Sequence, residues 1–233
     1  MQKLVLAAVI AAFSAPIGAL AEVTGASVGY DYTGLAENGM GGANKSELGG
    51  SMEYSFGPAF SMQGDMAMRY LNGTNYDSQG LTLHAIARPG NGAAVGFFAG
   101  KDWVEGRGIE FYGLEGAGQI GAIGYDAALT HVDGRGADAN GLSLRGAYSM
   151  NDRFDLGGRL EGFRSQGENM SRYAATAGYE VTPGMKMTGE FGFVDGVGMP
   201  AESYIGLGFK ATFGSNQGAT FAKRGFMDFV PAF

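Results

Sequence analysis

Cysteine is absent from the sequence, tryptophan occurs once, histidine twice, and proline is scarce at 6 residues. Without cysteine there is no disulfide framework. A chain of this length then needs another source of stability, such as a large core or a closed hydrogen-bonded sheet in lipid. Glycine, by contrast, occurs 43 times, but it follows no collagen-like triplet, and the aromatic content of 12% is too high for a disordered linker.

Long apolar runs are also missing, since no stretch approaches the roughly 18 consecutive apolar residues of a transmembrane helix. The apolar run at residues 4–13 follows Lys3, and a small-x-small sequence comes after it at residues 19–21. This arrangement is typical of a secretory signal peptide and its cleavage site. We therefore expect residues 1–21 to be removed on export and the mature chain to begin at Glu22.

From residue 23 onward, apolar and polar residues alternate with a period of two, as they do in half-buried strands. Twelve such segments can be distinguished, each of about 9–11 residues, the length with which a tilted strand crosses a bilayer. Their apolar faces carry no charged residue. In the fifth and sixth segments the alternation does not decide which set of residues faces outward. Placing Phe97 and Phe111 on the apolar face leaves Phe98, Tyr112 and Leu114 on the other.

The connections between segments form a second pattern, in which short turns alternate with longer loops. The short turns contain Gly, Pro, Asn or Asp and include residues 57–58, 89–92, 116–119, 151–152 and 182–184. The longer connections are residues 34–44, 72–80, 101–108, 132–140, 165–170 and 195–202. Short periplasmic turns and longer external loops are typical of outer-membrane barrels.

With these features the chain resembles Gram-negative outer-membrane β-barrel proteins of the porin-like class. The last segment, residues 204–213, looks like the terminal-strand insertion signal of that class, with alternate apolar residues ending in Phe213. The resemblance implies an all-β fold, a closed antiparallel up-and-down transmembrane β-barrel of twelve strands over residues 22–213. It also implies that the protein lies in the outer membrane after export through the periplasm. Outer-membrane lipid, lipopolysaccharide and the barrel-assembly machinery are its expected partners.

The chain departs from that class at its C-terminal end, because in most members the phenylalanine that corresponds to Phe213 is the last residue. Here residues 214–233 remain, and they contain Lys223 and Arg224 among several phenylalanines. Such a segment is too aromatic for a disordered tail. We expect a C-terminal periplasmic extension, and we hypothesise that it packs into the periplasmic mouth as a partial plug or onto a partner.

The opposite faces of the segments supply the expected lining of the barrel, which carries both signs of charge among many small residues. The pore-lining candidates are Glu53, Asp65, Arg69, Arg145, Arg159, Glu161, Arg172, Lys186, Glu190 and Lys210. A basic wall on segments eight to ten would face acidic residues on segments two and three, and opposed charges orient polar solutes. We therefore expect a porin-like channel for passive diffusion of small polar solutes or ions through a narrow charged lumen, with at most a weak cation preference.

Two alternatives stay open at this point. The lining charges could pair with one another in a closed structural or adhesive barrel without transport activity. A soluble β-sandwich also explains the alternation, but it predicts neither the regular loop lengths nor so much glycine on the polar face.

We expect no enzyme, and therefore no catalytic residue, cofactor or metal site. His131 beside Asp133, and the acidic loop at residues 133–140, are better explained as solvated surface than as a catalytic or calcium site. The formal net charge of −7 argues against nucleic acid as a partner, because the phosphate backbone is itself negative.

Overall fold

The computed structural model describes residues 22–36, 42–73, 76–90, 92–133, 138–165, 168–196, 199–216 and 218–230. The expected signal peptide, residues 1–21, lies outside these ranges and stays a prediction. Within the part of the chain that the structure describes, no helix is long and apolar enough to span a membrane.

Twelve strands follow one another along the chain, and each pairs antiparallel with its neighbours in sequence. They are β1 Glu22–Leu35, β2 Asn44–Ser55, β3 Phe60–Leu71, β4 Tyr76–Gly90, β5 Ala93–Val104, β6 Arg107–Ile120, β7 Ile123–Asp133, β8 Ala139–Ser149, β9 Phe154–Ser165, β10 Glu168–Thr182, β11 Met185–Gly196 and β12 Met199–Phe213. β12 also pairs with β1, from Ala26 opposite Phe213 to Leu35 opposite Tyr204. The sheet therefore closes on itself and leaves no unpaired edge. The predicted fold class and strand number are confirmed.

We call the two ends of the barrel the turn end and the loop end. At the turn end β1 begins, β12 ends, and residues 56–59, 91–92, 121–122, 150–153 and 183–184 join the strands. The loop end carries the connections at residues 36–43, 72–75, 105–106, 134–138, 166–167 and 197–198.

The predicted alternation of short turns and long loops is largely wrong. The strands at the loop end continue as paired hairpins, so residues 105–106 form a two-residue turn in which Glu105 and Gly106 both have positive φ angles, 50° and 75°. Residues 116–119, predicted as a turn, belong to β6, and the turn follows at Gly121, where φ is +60°.

The outer surface of the barrel is apolar on every strand. The large apolar side chains at mid-strand are between 38% and 62% exposed, with Leu48 and Leu114 at the two extremes. They include Tyr30, Leu48, Met66, Leu83, Phe97, Leu114, Leu129, Leu144, Leu160, Tyr173, Phe191 and Leu207, one from each strand. So broad an apolar band is unusual on a soluble protein and is the kind of surface that lipid covers.

The residues of β6 that face the lumen are not the ones predicted from the sequence, whereas those of β5 are. Phe97 faces outward as predicted, but Phe111 is buried inside the barrel, and Tyr112 and Leu114 are the exposed residues. The ring of Phe111 packs against that of Phe98 with centroids 6.4 Å apart, in a cluster with Ala128, Val132 and Ala139. This internal apolar contact, which strand periodicity does not reveal, sets the phase of β6.

Candidate functional site

The lumen of the barrel is divided lengthwise into two different parts. On β2 to β6 almost every inward side chain is buried, including charged ones such as Glu53 and Arg69. On β8, β9, β11 and β12 several inward side chains remain partly exposed. Arg145 is 26% exposed, Arg159 21% and Lys186 42%. The difference arises because the end of the chain covers one side of the lumen.

Residues 218–230, which we call the tail, run inside the barrel from the turn end toward the loop end. The tail begins beside Gly25 near the start of β1. It ends with Val230, whose carbonyl oxygen accepts a hydrogen bond of 2.5 Å from Lys45 Nζ near the start of β2. Residues 218–230 of the expected C-terminal extension therefore pack inside the lumen, as the plug alternative of the hypothesis has it, and the periplasmic location of the extension stays a prediction. The barrel wall satisfies their polar groups and covers their aromatic rings, so the lumen is where they are stabilised.

Side chains of the wall bond the backbone of the tail. The Gln63 amide donates to the Phe221 carbonyl at 3.0 Å, and its oxygen accepts from the Phe221 N–H at 3.0 Å. Thr82 Oγ1 donates to the Arg224 carbonyl at 2.6 Å, and the Met227 N–H donates to Asp102 at 3.0 Å. Buried backbone groups need such partners. The tail thus supplies hydrogen-bond partners to polar side chains on this side of the lumen.

A buried ion cluster holds the tail toward the loop end. Arg69 donates to Glu47 at 2.7 Å, to Asp102 at 3.1 Å and to Asp228 of the tail at 2.8 Å. Its side chain is 1% exposed. Lys223 of the tail also pairs with Glu47. Each charge in this cluster has an opposite partner, which is the condition under which charges are tolerated out of water.

A second network joins the middle of the tail to β3, β4 and β6. Arg224 donates to Glu115 at 2.9 Å, and the other oxygen of Glu115 lies 2.6 Å from His84 Nδ1. His84 Nε2 lies 2.9 Å from Asp65. Both ring nitrogens of this fully buried histidine thus face carboxylates, and only the imidazolium form donates to both.

Near the turn end, Glu53 is the central group. It accepts from Arg88 at 2.5 Å and Ser61 at 2.9 Å, and from the backbone and hydroxyl of Thr220 in the tail at 2.9 and 2.6 Å. These four hydrogen bonds use both oxygens of a carboxylate that is completely buried.

The aromatic side chains of the tail occupy pockets in the wall. Phe221 packs with Ile86, Ala94 and Ala117. Inward glycines provide the space. A Cβ on Gly96 would lie 2.7 Å from the Phe221 ring, and a Cβ on Gly141 would lie 2.5 Å from the ring of Phe229. The absence of side chains at these two positions therefore leaves room for the rings of the tail.

The rest of the lumen is a cavity of about 1080 Å³. Its lining reaches from Gly92 and Gln119 at the turn end to Thr33 and Lys45 near the loop end. Among the described residues its charged lining consists of eight basic and six acidic side chains. They are Lys45, Arg88, Arg145, Arg159, Arg172, Lys186, Lys210 and Lys223, with Asp31, Glu47, Asp126, Asp155, Glu190 and Asp228.

An arginine cluster lies where the tail meets this cavity. Arg172 donates to Tyr204 at 2.7 Å, to Glu190 at 2.6 Å and to the Asp228 carbonyl at 3.2 Å. Arg145 and Arg159 lie next to it around Glu161, but Arg159 has no charged partner closer than 3.5 Å among the described residues. Arg159 is therefore the least engaged of the three guanidinium groups.

All ten candidates from the sequence lie on the inner face, but they do not form two walls across an empty lumen. Glu53, Asp65 and Arg69 belong to the tail-covered side, and Arg172, Glu161 and Glu190 lie at its border. The open side contains Arg145, Arg159, Lys186 and Lys210. The acidic residues of β2 and β3 therefore pair with neighbouring cations and with the tail.

Two residues of these networks were missed in the sequence. The sequence pattern leaves Asp102 in a predicted loop and gives Glu115 no place in the lining, whereas both are buried in the lumen. Extending the β5 alternation by a few residues would have placed Asp102 inside.

His131 contacts Asn140 at 3.1 Å and packs against Tyr112 with ring centroids 5.1 Å apart.

Comparisons with known proteins agree with this architecture. The sequence matches no protein-family model, and no curated protein matches it. Solved structures do match. The KdgM porin is 11% identical in sequence and has a TM-score of 0.63. The match covers 80% of this chain and 99% of that chain. The NanC porin is 10% identical with a TM-score of 0.65, covering 80% and 98%. The COG4313 outer membrane channel from Pseudomonas putida F1 is 12% identical with a TM-score of 0.57, covering 86% and 100%. At such low identities the likeness shows the fold alone, which is that of outer-membrane porins.

Proposed function

We propose that the protein is an outer-membrane channel of a Gram-negative bacterium, through which small polar solutes or ions diffuse passively. The observation that carries this proposal is the cavity of about 1080 Å³ that the tail leaves beside it, lined by charged side chains. Charges that are only partly paired need water around them, so this side of the lumen is hydrated. The outer-membrane lipid, lipopolysaccharide and the barrel-assembly machinery are the partners that this location implies.

The balance of charges in the cavity favours anions weakly. Eight basic side chains face six acidic ones, and Lys186 lies directly opposite Lys210 in the strand register. This proposal reverses the weak cation preference expected from the sequence, because the acidic residues Glu47, Glu53 and Glu115 of the wall bind the tail. A KdgM porin has been solved in complex with disordered oligogalacturonate, so a barrel of this fold can accommodate an anionic solute.

Single-channel conductance tests the proposal. The chain from residue 22 would be refolded in detergent, inserted into a planar bilayer and measured under two opposite salt gradients. We expect discrete conductance steps and a reversal potential of the sign that indicates anion preference. Folded, inserted protein that gives no steps would contradict a channel. It would favour the closed structural barrel, for which the fully paired charges on the tail side are the supporting observation.

A further inference from the structure

We propose that the tail-covered wall of the lumen is a peptide-binding groove, and that the tail is its tethered and exchangeable ligand. The inference does not depend on the channel function, since it concerns the binding of a peptide to the wall. The class of ligand is a peptide that carries a basic pair between aromatic residues, as Lys223 and Arg224 lie between Phe221 and Phe226, and that ends in a short 3-10 turn such as Phe226–Asp228.

The barrel does not need the tail to close. The ring of hydrogen-bonded strands is complete from β1 to β12, and no strand pairing in the described sheet includes the tail. A backbone hydrogen bond of 2.8 Å, from Asn216 N to Thr24 O, ties the chain to β1 just before the tail begins. From there on, side chains make the contacts. The tail therefore packs against a barrel wall whose strand pairing is complete without it.

The wall recognises the backbone of the tail along its whole length. Besides the bonds from Gln63, Thr82 and Asp102, Lys45 donates to the carbonyl oxygens of Met227 at 3.1 Å and Val230 at 2.5 Å. Peptide-recognition sites combine such main-chain bonds, which provide affinity, with side-chain pockets, which provide specificity.

The pockets and charges of the groove match the side chains of the tail. Phe221 fills the pocket beside Gly96, and Phe229 fits over Gly141, where a larger wall residue would collide with it. Arg224 meets the carboxylates of Glu115 and Asp126 at 2.9 and 2.8 Å. A peptide with acidic residues in place of the basic pair would face these carboxylates without compensation.

The tail also has a way out of the groove. One of its sides borders the open cavity, which residues 218–223 and Asp228 help to line. Withdrawal along this cavity would break side-chain contacts without opening the strand ladder. Gly218, with a φ angle of +119°, provides a bend at the turn end.

Cleavage and exchange test the groove in the whole protein. A protease site would replace residues 215–217 in the full chain, the protein would be folded, and the site would then be cut. A dye-labelled synthetic peptide matching residues 218–230 would be added to the cut barrel, and its binding followed by fluorescence anisotropy. We expect saturable binding and exchange with the bound tail. A peptide carrying Arg224→Glu should bind at least about tenfold more weakly, because it loses buried charge pairs.

Variants of the barrel wall test whether the peptide binds in the groove or binds the barrel nonspecifically. Gln63→Leu removes both hydrogen bonds to Phe221 with little change of size, and it should weaken peptide binding. Thr176→Val, on the open side of the lumen, should leave peptide binding unchanged. A cut tail that never exchanges, or a scrambled peptide of the same composition that binds equally well, would overturn the proposal. Saturable binding without any conductance would overturn the channel and leave the groove intact.

Discussion

The two sides of one lumen show how different environments arise from the same strand pattern. On β2 to β6 and on β8 to β12 charged residues alternate with outward apolar ones in the same way. Yet Arg69 is 1% exposed with three carboxylate partners, whereas Lys186 is 42% exposed and pairs with Asp155 alone, at 2.5 Å, among the described residues. The tail makes the difference, because it covers the wall on one side of the lumen and leaves the other side exposed. The strand pattern decides which residues face the lumen, and the packing of the tail decides how polar their surroundings are.

The largest difference between the two sides should appear in stability. Arg69→Met leaves Glu47, Asp102 and Asp228 without their shared cation, and breaking a buried ion pair costs about 3–5 kcal/mol. Lys186→Met is the matched variant on the open side, where an exposed pair contributes about 0–1 kcal/mol. Urea unfolding in detergent micelles, followed by the fluorescence of the single Trp103, measures both. Equal losses of unfolding free energy would show that the two sides do not differ in polarity.

Glycine substitutions compare a lumen position that the tail covers with one that it does not cover. Gly141→Val places a side chain against the Phe229 ring, so we predict a loss of about 1–3 kcal/mol from overpacking. Gly124 also faces the lumen, but a Cβ there would meet no atom of the described residues within 4 Å. Gly124→Val should therefore change the unfolding free energy by less than about 0.5 kcal/mol. A Gly141→Val protein as stable as the Gly124→Val protein would mean that the tail does not occupy its pocket.

The smallest effect concerns selectivity on the open side. Lys210→Gln removes one positive charge from the cavity lining, and it should lower the ratio of anion to cation permeability without closing the channel. Lys101→Gln removes a charge that pairs with Glu110 outside the lumen, at 2.7 Å, and it should leave this ratio unchanged. Reversal potentials under a salt gradient measure both variants. A shift of the reversal potential of the same size in both variants would show that the selectivity does not depend on the charge in the cavity.

Much of the barrel was predictable because strand alternation is a local property. In β3, as alternation predicts, Met62, Met66 and Tyr70 are all exposed on the outer face, and Asp65 and Arg69 are buried inside. The phase of β6 was not predictable in this way, because Phe111 and Tyr112 are adjacent aromatic residues and periodicity does not choose between them. The choice depends on Phe98, which lies on another strand.

The position of the tail was only partly indicated by the sequence. Its phenylalanines, Lys223 and Arg224 showed that it packs somewhere. Its partners are far away in the chain, however. Glu115 and Asp126 lie about a hundred residues before Arg224, and Arg69 lies still farther from Asp228. Such long-range pairs leave no local pattern. For the same reason the inward glycines indicated free space without showing what fills it.

The measurement that tests the division of the lumen most directly uses the absence of native cysteine. Ala67→Cys on β3 and Ala147→Cys on β8 are a matched pair on the inner face, since Ala67 is 6% exposed and Ala147 lines the cavity. The folded variants would be treated with a charged thiol reagent and the labelling followed by mass spectrometry. We predict rapid labelling of Ala147→Cys, and labelling of Ala67→Cys only after unfolding in urea. Equal labelling rates in the folded barrel, or no labelling at position 147, would contradict a lumen that is filled on one side and open on the other.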